Sequence, residues 1–388
     1  MDDIEKITAR LRARALRVDR ACTQESGSDC WLLWDLEAWN KVLAIVGLEL
    51  IEAQPGRLAL QALPTTRRQY FDKNEFYAAA FVFSWLPEAH RCIQAIKLEG
   101  SATELFYRPT FALALALGRS CNIRDLALRG GNHTFMCEEE LVEGLRSLRA
   151  LQSLDLSNFP VNETIGKHLV ALLRRNSDHL TSAAIEGTDM SFNTTNQILS
   201  ALNSCRHLNQ LSLANNELNH KCIKTLSSLL RASKSLRKLT LGGCFRAYVD
   251  LRVLSDALEV NASLNELSLR RCEADLTLVL KALSTNKILK RLDLSHSRLN
   301  NTQVATLSTA LQRNTALQHL LLKHCGINDA AAEALAAALK TNCTLEMLNL
   351  KCNIVSIAGV AEFCEALRNN TTIKMIQFCG VAGSQNER

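Results

Sequence analysis

The sequence predicts an α/β solenoid shaped like a horseshoe, with a parallel β-sheet on the concave face and α-helices on the convex face. Two observations predict it: a phrase of apolar residues that returns at nearly constant spacing, and a helix-forming segment after each return. A third observation predicts a small α+β cap at the N-terminus, because all four Trp residues lie within the first 85 of the 388 residues.

The repeated phrase is clearest in "LNQLSLANNEL", residues 208–218, which has apolar residues at its first, fourth and sixth positions. Eleven copies can be aligned, and seven of the ten steps between their first positions are 28 residues long. The copies begin at Ile93, Ile123, Leu151, Leu180, Leu208, Leu236, Leu264, Leu289, Leu317, Leu345 and Ile373. A period of this regularity predicts stacked units that share one continuous core.

Each unit is expected to hold one short strand and one helix. Positions 4 and 6 lie two residues apart, so they share the core face of a strand, while positions 3, 5, 7 and 8 face solvent. Position 9 is Asn or Cys in five copies, and these side chains can reach backbone groups of the next turn. The segment "NDAAAEALAAALKTN", residues 328–342, has the Asn start and Ala-rich body of a helix.

Two details of the repeat carry further predictions. The step of 25 residues after Leu264 predicts a shortened helix around residues 275–285. An Asn stands three residues before several copies, and Asn tolerates the left-handed conformation that ends many helices. We therefore interpret the glycosylation sequons at Asn261, Asn342 and Asn370 as helix ends rather than as glycan acceptors.

The 28-residue unit resembles the ribonuclease-inhibitor-like class of leucine-rich repeats in its apolar positions and in the Asn or Cys at position 9. That class includes ribonuclease inhibitor, the Ran GTPase-activating protein and the sensor domains of nucleotide-binding innate immune receptors. The resemblance covers residues 91–378. It implies the fold and says little about the partner.

The chain is expected to divide into three regions: a basic helix and linker over 1–29, a Trp-rich α+β cap over 30–90, and about 11 repeat copies over 91–388. We predict helices over 1–22, over 30–47 with an end at Gly47, and over 74–86 with a stop at Pro87, and a hairpin over 48–63. The basic helix is either an arm for a membrane or an acidic partner, or an ordinary solvated helix resting on the protein. The Trp residues either bind a partner or pack over the first repeat. We favour the second reading in both cases.

Several chemistries lack their sequence signals. There is no phosphate-binding loop, no GxSxG and no HExxH motif, so we expect no catalysis and no cofactor. The 14 Cys include no CxxC pair, and neither a signal peptide nor a membrane-spanning run is visible, so we expect reduced thiols in the cytoplasm. The net charge of +6 is too small to indicate a nucleic-acid binder. His296, His324 and Cys352 share position 8 of consecutive copies; we expect a polar ladder there and no metal.

Charge along the solvent-facing positions indicates a binding face. Asp125, Asp155 and Glu186 make its early part acidic, and later copies make it basic. We predict binding of a protein with an acidic surface through Arg270, Arg271, Arg291, His296, His319, Lys323, His324 and Lys351. Two alternatives stay open: a GTPase activator of the Ran-activator type, and the substrate-recognition subunit of a ubiquitin ligase with its adaptor contact in residues 30–90. The last strand has an open edge, which leaves three interpretations: self-association through this strand, a sequence that is a fragment, or an irregular tail that covers the edge.

Overall fold

The structure of the protein is a computed structural model. It describes residues 2–14, 16–18, 20, 22–23, 29–63, 73–99, 112–120, 122–130 and 138–379. The chain forms two compact units, Met1–Met190 and Ser191–Arg388, called here the first and the second unit. The predicted linker residues 24–28 and the chain after residue 379 lie outside the described residues.

The first unit joins an irregular N-terminal part to four repeat strands. Its elements are α1 (Asp2–Ala13), α2 (Leu36–Leu43), β1 (Leu48–Gln54), β2 (Arg57–Ala62), α3 (Lys73–Ala89), β3 (Ile93–Glu99), α4 (Ala112–Arg119), β4 (Asp125–Arg129), α5 (Glu138–Ser147), β5 (Ser153–Asp155), α6 (Glu163–Arg175) and β6 (Ser182–Ala184). Strands β1 and β2 form the predicted antiparallel hairpin, and β2 to β6 then run parallel, each beside the next.

The second unit consists of repeats alone. Its elements are α7 (Phe192–Leu202), β7 (Gln210–Ser212), α8 (His220–Ala232), β8 (Lys238–Thr240), α9 (Arg252–Val260), β9 (Glu266–Ser268), α10 (Thr277–Ala282), β10 (Arg291–Asp293), α11 (Asn301–Arg313), β11 (His319–Leu321), α12 (Asp329–Leu339), β12 (Met347–Asn349), α13 (Ile357–Leu367) and β13 (Met375–Gln377). All neighbouring strands from β7 to β13 pair in parallel, with equivalent repeat positions side by side.

The predicted core positions are buried. Position 4 forms a row of Leu side chains in the second unit, and Leu239, Leu292 and Leu320 are each fully inaccessible to solvent. Positions 3 and 5 on either side are half-buried or exposed, as the alternation of a strand requires. Position 7 is less uniform than predicted, since Ser295 is buried there. The shortened helix is confirmed: α10 has six residues.

Position 9 links the turns, but to the preceding turn rather than to the next one that we predicted. The Cys325 thiol donates to the Leu294 carbonyl at 3.2 Å, and the Asn353 amide donates to the Leu322 carbonyl at 2.7 Å. In each pair the acceptor is position 6 of the preceding copy. These bonds satisfy carbonyls at the strand ends that would otherwise be buried without a partner.

The Asn residues before each copy are structural, but in a different way from the prediction. Asn261 and Asn314 have φ of −69° and −75°, so they are extended and not left-handed. Their side chains stabilise the repeat by hydrogen bonds to the backbone. The Asn314 amide donates to the Leu283 carbonyl at 2.6 Å, and its oxygen accepts from the Leu317 N–H at 2.7 Å. Asn261 and Asn342 are buried and bonded alike, which leaves no room for a glycan at either.

Three boundaries in the N-terminal part differ from prediction. Helix α1 ends at Ala13 rather than near residue 22, and Arg14 pairs with Glu75 of α3 at 2.8 Å. The segment 30–47 is broken into a 3-10 turn at Trp31–Leu33, α2, and a second 3-10 turn that ends at Gly47 with φ of 73°. Helix α3 continues through Pro87 to Ala89. Because Pro87 lies in the last turn, its missing N–H and its ring disturb little helix beyond it.

Two of the four Trp side chains are fully buried. Trp39 stacks on Trp85 with ring centroids 5.8 Å apart, and Trp31 lies 6.4 Å from Trp39. Trp34 is 77% exposed and takes no part in this aromatic core. Among the described residues, no helix has the length and hydropathy needed to cross a membrane.

Candidate functional site

The eight predicted binding residues all lie in the second unit, and we call them the basic strip: Arg270, Arg271, Arg291, His296, His319, Lys323, His324 and Lys351. Arg291 and His319 sit on β10 and β11 as direct neighbours in the parallel ladder. The other six follow the strands at positions 7 and 8. Because equivalent positions of adjacent copies align, the strip runs across four consecutive copies.

Two members of the strip are in direct ring contact. The imidazoles of His296 and His324 have centroids 5.3 Å apart, at 42° to each other. Burial lowers the pKa of His296, and the charges of Arg270, His324, Lys323 and Arg271 lower it further. Three cationic side chains, Arg270, Arg271 and Lys323, therefore lie close enough to His296 to act on its charge.

The two carboxylates within this region are already engaged. Asp293 accepts a hydrogen bond from the Ser295 N–H at 2.9 Å and lies 3.8 Å from Arg270. Glu266 lies 3.8 Å from Lys238, the exposed residue at position 3 of the copy before the strip. These two carboxylates neutralise part of the positive charge of the region. Four cations of the strip form no ion pair among the described residues: Arg271, Arg291, Lys323 and Lys351.

Position 8 has a backbone conformation that the sequence reasoning missed. Arg271, His296, His324 and Cys352 have φ of 52°, 64°, 55° and 58°, in the left-handed region. The cause is the turn at the end of each strand, where the N–H of position 8 donates to the position 7 carbonyl of the next copy. His296 donates in this way to Lys323 at 2.8 Å, and His324 to Lys351 at 2.9 Å.

Other copies meet this requirement with residues suited to it. Gly130, Asn158, Gly187, Asn215 and Gly243 occupy position 8 with φ of 78°, 58°, 55°, 58° and 70°. Gly and Asn adopt the left-handed region most readily, whereas Arg and His adopt it at a cost. The sequence signal that could have shown this was the Gly or Asn at position 8 of those five copies.

The predicted acidic part of the face lies in the first unit, where Asp155 is paired. Arg129 donates to Asp155 at 2.7 Å and to Glu99 at 2.6 Å. Burial raises the pKa of Asp125, while the charges of Lys97, Arg57 and Arg124 oppose that rise. The sequence count of acidic residues there therefore overstates the charge that a partner would meet.

Metal ligands converge in the first unit, at residues that the sequence reasoning did not single out. Cys22, Cys30, His90 and Cys92 place their ligand atoms within 4.8 Å of one another. Within the described part of the chain, no other three His, Cys, Asp or Glu residues gather closely enough to hold one ion, so His296, His324 and Cys352 do not form such a group. The available signal was the His-x-Cys sequence at residues 90–92.

The predicted self-association edge is β13, which pairs with β12 and carries Met375 at 48% exposure. Ile354 and Ile357 on the same end of the unit are 76% and 68% exposed. Phe378 packs on Phe363 with ring centroids 5.6 Å apart. Self-association itself stays a prediction.

Comparison with known proteins agrees with the architecture. Residues 303–383 match the family model of the TMOD/LMOD (tropomodulin/leiomodin) leucine-rich domain. The chain carries leucine-rich repeats. The family match includes His319, Lys323, His324 and Lys351 of the basic strip. It does not reach the N-terminal part, and no curated protein matches the chain as a whole.

Two solved structures are similar to parts of this leucine-rich repeat protein. A structure titled "Leiomodin-1 Actin-Binding Site 2 (ABS2)" is 23% identical over 27% of this chain and 62% of that one, with a TM-score of 0.26. A structure titled "Crystal structure of TLR13-ssRNA13 complex" is 16% identical over 75% of this chain and 40% of that one, with a TM-score of 0.45. In both, the chain spans less than two thirds of the relative.

Proposed function

We propose that this leucine-rich repeat protein binds another protein through the basic strip of its second unit, without catalysis of its own, and that the partner offers an acidic surface. The observation that carries the proposal is the left-handed backbone at Arg271, His296 and His324. Three cationic or titratable side chains occupy positions where the fold is better served by Gly or Asn.

A left-handed conformation costs an ordinary L residue about 1–2 kcal/mol, and Gly or Asn avoids most of that cost. The same chain uses Gly or Asn at the equivalent position of five other copies. Strain that the sequence could avoid, and does not avoid in four successive copies, at Arg271, His296, His324 and Cys352, is typical of a functional surface. A partner that binds the three cationic or titratable side chains accounts for the strain at their positions.

The chemistry of the partner follows from the charge. Arg271, Arg291, Lys323 and Lys351 present guanidinium and ammonium groups on one side of adjacent strands, and Arg guanidinium groups match carboxylates in two-point hydrogen bonds. The surrounding cations that depress the pKa of His296 would favour the approach of Asp and Glu side chains. A protein surface rich in these residues is the complement.

We further propose that the protein works in a reducing compartment such as the cytoplasm. Among the described cysteines, all are free thiols. The sequons at Asn261 and Asn342 carry buried side chains whose amides are engaged in the repeat. Both observations are consistent with a compartment that neither oxidises thiols nor attaches glycans.

The test uses a matched pair of charge reversals in the full chain. Arg271→Glu with Arg291→Glu alters the strip, and Lys224→Glu with Arg231→Glu makes the same charge change on exposed residues of α8. Purified actin is the first probe, because the matching family model and the leiomodin title suggest it. Proteins captured from a lysate by the wild type, then purified, are the next probes. Affinity is measured by a direct binding assay at low and high salt.

The strip reversal is expected to weaken binding by at least ~10-fold at low salt, with little effect at high salt, while the α8 reversal leaves affinity unchanged. Equal affinities of the two double variants would overturn the proposal. Stimulation of GTP hydrolysis by a small GTPase would favour the GTPase-activator alternative, and binding of an adaptor through residues 30–90 the ubiquitin-ligase alternative. Light scattering of the same samples tests self-association through β13.

A further inference from the structure

We propose that Cys22, Cys30, His90 and Cys92 bind one Zn²⁺ ion as a structural centre of the first unit. Three thiolates and one imidazole form a ligand set that tetrahedral zinc favours. The site is independent of the basic strip and of the proposed partner.

The distances between the ligand atoms fit such a centre. The Cys22 sulfur lies 3.7 Å from that of Cys30 and 3.9 Å from that of Cys92. The Cys30 sulfur lies 3.4 Å from His90 Nδ1. A tetrahedral ion with Zn–S bonds of about 2.3 Å and a Zn–N bond of about 2.0 Å holds its sulfurs about 3.8 Å apart and its sulfur and nitrogen about 3.5 Å apart. Three of the six edges of the cluster thus match those of a zinc tetrahedron, and the other three are no longer than 4.8 Å.

The ligands come from separate segments that meet only in the folded chain. Cys22 and Cys30 belong to the stretch before the 3-10 turn Trp31–Leu33, whereas His90 and Cys92 lie between the end of α3 and the start of β3. Cys30, His90 and Cys92 are fully buried, and Cys22 is partly buried. Four protein ligands in a closed site leave no position for a substrate, which indicates a structural rather than a catalytic metal.

His90 has a buried ring atom that the protein does not otherwise use. Its Nε2 is inaccessible and has no hydrogen-bond partner among the described residues. The ring is held edge-on between Trp31 and Trp85, with centroids 5.2 Å and 5.5 Å away. With Nδ1 on the metal, Nε2 carries the proton and can point it at aromatic ring electrons. The Trp residues thereby fix the tautomer and the orientation that coordination by Nδ1 requires.

Metal ions bind cysteine as the thiolate, so a divalent cation would displace the thiol protons of Cys22, Cys30 and Cys92 on binding.

A disulfide would use the same residues less completely, because joining any two sulfurs would leave the third thiol and the imidazole outside the bond. Zinc uses all four groups and joins two segments that lie 60 to 70 residues apart in sequence. These segments lie outside the regular repeat copies, so the metal would link parts of the chain that the repeat pattern does not connect.

The experiment measures metal in the full chain purified from zinc-supplied cells without chelator. Elemental analysis is expected to give one zinc per chain. After chelation under reducing conditions, Co²⁺ should bind at a ratio of one to one, with the visible absorption bands of a tetrahedral thiolate site, and Zn²⁺ should displace it. Cys92→Ser and His90→Ala are expected to lose the zinc. Cys325→Ser is the matched control, since it also removes a buried thiol and Ser297 fills the equivalent repeat position.

Three results would overturn the proposal. The first is wild-type protein with far less than one zinc per chain and no tetrahedral Co²⁺ bands. The second is full zinc content in Cys92→Ser or His90→Ala. The third is a disulfide among these cysteines, found by mass spectrometry of protein purified without reductant. Chelation should also lower the melting temperature of the wild type and leave that of Cys92→Ser unchanged, which separates a structural metal from a loosely bound ion.

Discussion

The two units differ in the sign of the charge predicted for their strand faces and in how far the charged side chains there form ion pairs. In the first unit Arg129 is held between two carboxylates, with oxygens 2.6 Å and 2.7 Å away. In the second unit, Arg270 is the one member of the basic strip that forms an ion pair among the described residues. Paired surface charges add little to stability and offer little to a partner. The unpaired strip is therefore the better candidate for binding.

The units also differ in how they satisfy their interiors. The second unit repeats similar bonds from side chains to the backbone. Asn supplies them before each strand from β9 to β13, and Cys, Ser or Asn supplies them after β8, β10, β11 and β12. The N-terminal part of the first unit has no such ladder and relies on single clusters: stacked Trp rings and the Cys and His residues beside them. In the second unit, stability is therefore shared among many equivalent hydrogen bonds. In the N-terminal part of the first unit, it depends on a few side chains.

The largest expected effect concerns the aromatic cluster. Trp39 is fully buried and stacks on Trp85, so Trp39→Ala should lower the free energy of unfolding of the first unit by about 3–5 kcal/mol. Trp34→Ala is the control, because that side chain is 77% exposed, and it should cost less than about 0.5 kcal/mol. Hydrogen exchange in β1 and β2 under increasing denaturant measures both. Similar losses in the two variants would contradict the view that the cluster holds this part together.

A somewhat smaller effect is expected at the Asn ladder. Asn314→Ala removes the bonds to the Leu283 carbonyl and the Leu317 N–H and leaves both buried groups without their side-chain partner. A buried group left unpaired costs about 1–3 kcal/mol, and at about 1–2 kcal/mol for each of these two groups a loss of about 2–4 kcal/mol is expected in denaturant unfolding. Asn369→Ala, at an exposed sequon, should be nearly neutral. A loss well below this range for Asn314→Ala would mean that neighbouring copies compensate for the missing hydrogen bonds.

The repeats could be predicted from the sequence because their determinants are local and periodic. The buried Leu row, the strand positions and the short α10 all follow from counting residues along one copy. The left-handed φ of Arg271 was missed because Arg is not a residue type that suggests this conformation. Gly243, at the same position one copy earlier, does suggest it. Position alone identified the basic strip. Which charges are paired depends on side-chain geometry that spacing does not give.

The N-terminal part was predicted less well for a different reason. The hairpin was found because Gln-Pro-Gly is a local turn signal. Helix α1 was extended too far because Val18, which we took as part of its apolar stripe, is buried outside any helix. The Cys and His cluster joins segments far apart in sequence, so no short motif contains it. Local patterns cannot reveal a site that only the tertiary fold assembles.

Two opposite substitutions at left-handed positions test the strain argument. Each is expected to change the free energy of unfolding by about 1 kcal/mol, one upward and the other downward. His296→Asn should raise the free energy of unfolding on the order of 1 kcal/mol, and Asn215→His should lower it by a similar amount, because φ is 64° and 58° at the two sites. Denaturant midpoints of the two variants and the wild type give the answer. If His296→Asn destabilises the protein, the strain argument for the strip fails. If it stabilises the protein and weakens partner binding, the strip has given up stability for function.

The smallest effect is the pH dependence of His296, and its sign is specific. Burial and the neighbouring cations lower the pKa of His296 in the folded protein, whereas the unfolded chain has the ordinary value near ~6.5. As the pH falls through that value, the unfolded chain takes up the proton first, so the stabilisation present at higher pH is gradually lost. Between about pH 7.5 and 5.5, the denaturant midpoint of the wild type should therefore fall slightly more than that of His296→Asn.

Affinity for an acidic partner should change in the opposite direction over the same range. Protonation of His296 adds positive charge to the strip, so binding should tighten as stability falls, and high salt should remove the effect. The His296→Asn variant should show neither change at this site. Stability and affinity that fall together with pH would show that His296 acts only through the fold. Opposite changes would assign it to the binding surface, and they would distinguish the second unit, whose strip charges are mostly unpaired, from the first, where Arg129 is already neutralised.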